Sequence, residues 1–74
     1  MVLQLCLLKV YVEDARSGER TLIAGNVAYV SLDGRIFKIH DVDGVEKTLS
    51  GVNLLMIDAL NSILVFRIEE NLDV

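Results

Sequence analysis

Apolar and polar residues alternate along much of the chain, and every 7 to 11 residues a turn dipeptide interrupts them: Ser17-Gly18, Gly25-Asn26, Asp33-Gly34, Asp43-Gly44, Ser50-Gly51 and Asn61-Ser62. Turn signals at this interval belong to an all-β domain. The runs between them, rich in Val, Ile, Leu, Tyr and Phe, predict strands near 3–12, 20–24, 27–32, 35–40, 45–50, 52–59 and 62–68. Asp33-Gly34 is a strong signal for a two-residue hairpin. With every loop short, sequence neighbours are expected to pair as antiparallel meanders. A sheet of six to seven such strands is expected to curl into a small antiparallel β-barrel, which removes its edges.

Successive side chains of a strand point to opposite faces, so parity assigns each residue a side. In the first strand Cys6, Leu8, Val10 and Val12 share a face opposite Leu7, Lys9 and Tyr11. In the fourth, Phe37 and Ile39 oppose Ile36, Lys38 and His40, which makes His40 a surface residue at a strand end. In the last, Leu64, Phe66 and Ile68 oppose Ile63, Val65 and Arg67. Val52 to Asn61 is apolar nearly all round and fits a helix as well as a strand. The Asn61-Ser62 break and the β-branched run after it favour a hairpin. The end, 69–74, is acidic and expected to fray.

At 74 residues the chain makes one domain, 1–74, with a thin core, and domains this small commonly add disulfides, a metal or a partner subunit. A single cysteine excludes an intrachain disulfide. A hydrophobic fraction of 53% and a mean hydropathy of +0.48 leave more apolar surface than so small a monomer readily hides, so a homodimer is expected. No run approaches the ~20 apolar residues that span a bilayer. The apolar start lacks a basic leader and a small-residue cleavage site, so a cytoplasmic location is expected, where a free thiol persists. The net charge of −4, with Lys9, Arg16, Arg20, Arg35, Lys38, Lys47 and Arg67 scattered, argues against nucleic acid as a partner.

Chemistry-bearing residues are few. With one Cys and one His, and acidic residues mostly at turns, no catalytic constellation stands out and no enzyme is expected. Ile39-His40-Asp41-Val42-Asp43-Gly44 has the start of a calcium loop without its later ligands, so His40 reads as a solvated strand end. One thiolate and one imidazole cannot close a four-ligand site, but a two-fold dimer doubles the count. If two Cys6 thiolates meet near the axis, backbone nitrogens can complete a planar S/N set, a geometry that nickel(II) accepts. The alternative is Cys6 as a buried small hydrophobe.

The segment Cys6-Leu7-Leu8-Lys9-Val10 resembles the opening of the CooT family, small proteins that begin Met-Cys and continue into an apolar-Lys-apolar strand. Ile23 to Val30 is similar to the family's second block, and Leu49-Ser50-Gly51-Val52 through Ile57 to Val65 looks like its last strand pair. The resemblance implies a homodimeric β-barrel domain that binds nickel(II), one ion per dimer, through Cys6. It also implies delivery or storage of nickel for maturation of carbon monoxide dehydrogenase or another nickel enzyme. The chain departs from the family in placing Met1-Val2-Leu3-Gln4-Leu5 ahead of the cysteine. Either 1–5 is a genuine extension, or Leu5 marks an internal start. The competing expectation is a small interaction module of SH3-like or Sm-like form, possibly binding RNA, with no metal.

Overall fold

The structure is a computed structural model and describes residues 7–68. The described residues form six strands: β1 (Leu8–Asp14), β2 (Arg20–Asp33), β3 (Ile36–Asp41), β4 (Glu46–Leu49), β5 (Val52–Asp58) and β6 (Ile63–Ile68). The all-β expectation is met, and Val52 onward is a strand rather than a helix. The first predicted strand begins later than expected, at Leu8, its positions 3–6 lying outside the described residues.

Two features of the expected barrel are corrected. The strands join one sheet in the order β4-β3-β2-β1-β6-β5, and β1 and β6 run parallel, Val10 beside Leu64 and Val12 beside Phe66, so the sheet is mixed rather than an antiparallel meander. Nor is it closed, because β4 and β5 are its two edges. Turn chemistry predicts which strands are joined, and the pairing of the first strand with the last is a long-range packing outcome that no turn residue encodes.

The seventh predicted strand disappears because Gly25-Asn26 is not a turn. Opposite Leu8 and Val10, β2 advances from Val27 to Ala24, one residue more than β1, so the dipeptide is a bulge inside a 14-residue strand. β2 is irregular again between Ala24 and Leu22 against β1, and between Val27 and Tyr29 against β3. The Asn26 carbonyl, displaced from the ladder, accepts a hydrogen bond from Val42 N at 3.0 Å. Bulges bend a strand and raise its twist. Here the first half of β2 pairs with β1 and the second with β3.

Chain geometry shows how strongly the sheet is coiled. Laid flat, the outermost of six strands would stand about 24 Å apart at about 4.8 Å per step. Leu49 ends β4 and Val52 begins β5, so only Ser50-Gly51 joins the two edges. Three virtual Cα bonds reach at most about 11 Å. The two edges therefore come together at that corner, and Gly51 with a φ of 72° supplies the left-handed backbone that the link requires.

The concave face holds the core. Val10, Ala24, Val27, Ile39, Leu64 and Phe66 are buried, with Leu8, Val12, Ile23, Val30, Phe37, Leu49 and Val52 packed around them. The parity expectations for β1, β3 and β6 hold for the described residues, Cys6 lying outside them. Val65 lies on the opposite face, where parity places it, with Tyr11 and Met56 as ladder partners, and it is fully buried there.

Candidate functional site

The sole cysteine lies outside the described residues, but the strand it precedes does not. Leu8, two positions on, opens β1 and packs against the core. Lys9 N, beside it, donates to Ser62 O at 2.9 Å, which fixes the start of β1 against the β5–β6 turn. That turn is built from its own side chains: Asp58 accepts from Asn61 N at 3.1 Å and from Asn61 Nδ2 at 2.9 Å. These bonds, the side-chain one foremost, hold the Asp58 carboxyl below its ordinary pKa.

Leu8 also lines an open groove of about 370 Å³, bounded by the second half of β2 and by β5 and β6. Its floor is Val30, Leu64 and Phe66, and its rim carries Leu32, Leu54 and Ile57, which are 60, 45 and 62% exposed. None of its lining residues bears a formal charge. A second hollow of about 490 Å³ lies at the corner where β4 passes to β5, and there Asp14 and Glu19 stand among Val12, Ile23 and Leu49. Those two acidic residues already serve the β1–β2 turn: Asp14 Oδ1 accepts from Arg16 N at 2.8 Å, and Asp14 N donates to Glu19 O at 2.9 Å.

His40 sits on the face of β3 away from the core, as parity predicts, but it is not a freely solvated strand end. Its ring stacks on Tyr29, its partner on β2, with centroids 4.2 Å apart and an interplanar angle of 11°. Ser31 Oγ lies 3.5 Å from Nε2, and Glu46 Oε1 lies 3.9 Å from Nδ1. The sequence reading did not bring Tyr29, Ser31 and Glu46 to this imidazole, although hairpin register is the signal that could have done so. The Ser-His-Glu order suggests a proton relay, yet both separations exceed the roughly 2.6–3.2 Å over which a base activates a hydroxyl. Asp41, next along β3, is committed to its turn, where its Oδ1 accepts from Asp43 N at 2.8 Å.

Among the described residues no group of three or more His, Cys, Asp or Glu side chains is placed to hold a metal ion. The basic residues are largely engaged. Arg20 Nε donates to Glu13 at 2.8 Å, Arg67 stands 3.7 Å from the same carboxylate, Lys38 lies 3.3 Å from Asp33, and Lys47 Nζ donates to Ile23 O at 2.7 Å. No helix among the described residues is long and apolar enough to cross a membrane. No protein-family model matches the chain, and no curated protein matches it.

Proposed function

We propose that the protein is a homodimeric nickel-binding protein that holds one nickel(II) ion between subunits through the paired Cys6 thiolates and passes it to, or stores it for, a nickel enzyme. The observation that carries this reading is the position of the chain's only thiol two residues ahead of β1, in the segment Cys6-Leu7-Leu8-Lys9-Val10 by which the chain resembles the CooT family. Ligand chemistry supports it: a single soft sulfur per chain serves a metal only when a second chain supplies another. Thiolates with backbone nitrogens suit a planar nickel site.

The RNA-binding alternative finds little support, since Arg20, Arg67, Lys38 and Lys47 are taken up by intramolecular partners and Tyr29 is stacked on His40. The test is a nickel titration followed by the thiolate-to-nickel absorption band, run on the wild type and on Cys6→Ser. Saturation at one ion per dimer, with the band lost in Cys6→Ser, supports the proposal. Unchanged affinity in Cys6→Ser, or no binding of nickel by the wild type at micromolar concentration, overturns it and leaves the metal-free interaction module.

A further inference from the structure

We infer that the hollow at the corner where β4 passes to β5 is a binding site for a small aliphatic amine, its ammonium held at Asp14 and Glu19 and its hydrocarbon chain laid against the aliphatic wall. The inference is independent of the nickel reading, which uses neither this hollow nor these residues.

Size and lining come first. At about 490 Å³ the hollow has the volume of a small-molecule site, and such sites are mostly apolar with a few polar groups that fix the ligand's orientation. Its wall is Val12, Ile23, Val52 and Ile68, one residue from each of β1, β2, β5 and β6, so the coiling of the sheet makes the hollow and no single loop does. Val12, Ile23 and Val52 also pack against the core, which gives the wall a fixed position.

Charge then selects the ligand. Asp14 follows Val12 by two positions in β1 and so shares the concave face with the core. Glu19 stands opposite it across the β1–β2 turn, where its carbonyl accepts from Asp14 N at 2.9 Å. Neighbouring Glu13, with Arg20 and Arg67 as its ladder and ionic partners, takes the convex face. None of the residues lining the hollow is basic. The turn uses Asp14 Oδ1, which accepts from Arg16 N, and the backbone of Glu19, and none of these bonds uses the Glu19 carboxylate.

Two carboxylates at one end of an aliphatic wall complement a cation with an apolar body. A bare divalent cation is a poor match, since calcium takes about six to eight oxygens and the wall supplies none. An alkylammonium uses both parts of the site, with charge-assisted hydrogen bonds at the carboxylates and methylene burial along Ile23, Val52 and Ile68.

The experiment titrates n-hexylamine, hexan-1-ol and hexanoate into methyl-labelled protein at neutral pH and follows the spectra by NMR. Hexylamine should shift the methyl resonances of Val12, Ile23, Val52 and Ile68, and it should bind about tenfold more tightly than hexan-1-ol, with hexanoate weakest. Glu19 is exposed, so Glu19→Gln is expected to keep the fold, which circular dichroism checks. That variant should bind hexylamine about threefold more weakly and hexan-1-ol as the wild type does, a difference that a merely structural role of Glu19 would not produce. Added salt should weaken the amine alone. Equal affinities for amine and alcohol overturn the role of the carboxylates. Shifts confined to other surfaces, or no shift at millimolar hexylamine, overturn the site. Calcium chloride that displaces bound hexylamine at equal concentration overturns the choice of ligand in favour of a metal ion. The three-probe comparison on the wild type decides the matter even if Glu19→Gln does not fold.

Discussion

Phe37 and Phe66 meet across the core with ring centroids 4.7 Å apart and a 53° tilt, although their strands, β3 and β6, are separated in the sheet by β2 and β1. This contact joins the two halves of the coiled sheet where hydrogen bonds do not. A domain of this size has roughly 4–11 kcal/mol of stability in all, and truncating a buried Phe costs about 3–5 kcal/mol. Phe66→Ala should therefore leave the protein largely unfolded near 37 °C, while Phe37→Leu, which keeps most of the volume, should lose about 1–2 kcal/mol. Urea denaturation of the two variants checks this ordering.

Lys47 secures the same closure from the edge. It points inward from β4 and donates to the Ile23 carbonyl, at the bend of β2, across 2.7 Å. An inward charge on an edge strand also discourages pairing with another chain. Lys47→Met should lower stability by about 1 kcal/mol, a fall in Tm of about 4–8 °C. Thermal denaturation measures it, and Lys47→Arg should recover part of the loss.

The fold was legible in the sequence where local chemistry decides it. Asp33-Gly34 announces the β2–β3 hairpin, but the loop is Gly34-Arg35, with Asp33 already paired to Ile36 and Gly34 at a φ of 67°. This is the pattern of a type II′ turn. The shift keeps every side chain on its expected face but changes its neighbour. A loop at 33–34 pairs Tyr29 with Lys38, whereas the actual loop pairs it with His40, and the stacked patch follows from that difference alone. Gly25-Asn26 misled for a related reason, since the same residues that make turns also make bulges. The parallel β1–β6 pairing had no local signal, because it joins the two ends of the chain through burial of Val10, Leu64 and Phe66. Cys6 is singled out by its uniqueness and its context and lies outside the described residues, and the groove beside Leu8 becomes visible only when strands distant in sequence are brought together.

The Tyr29–His40 stack gives a spectroscopic prediction. A ring 4.2 Å above another shifts its protons upfield, so the His40 ring resonances should move downfield by several tenths of a ppm in Tyr29→Ala. Loss of the pair should cost about 0.5–1.5 kcal/mol. Unmoved His40 resonances would contradict the stacked geometry.

Acid should loosen the β5–β6 turn through Asp58. Its carboxyl is held below its ordinary value by Asn61, so it binds protons more readily unfolded than folded. Its contribution is therefore complete above the unfolded value of about 3.9 and is lost as pH falls through the lower folded value. The urea midpoint of the wild type should exceed that of Asp58→Ala at pH 6, and the gap should close toward pH 2. A gap that does not narrow at all as pH falls from 6 toward 2 would contradict the proton linkage.

The central claim is that Cys6 carries nickel between two copies of the chain, and native mass spectrometry of the nickel-loaded protein tests it most directly. The account predicts a dimer carrying one nickel ion and a metal-free dimer for Cys6→Ser. Nickel occupancy should rise with pH as the thiols lose their protons. Nickel on monomers, or equal occupancy in Cys6→Ser, would contradict it.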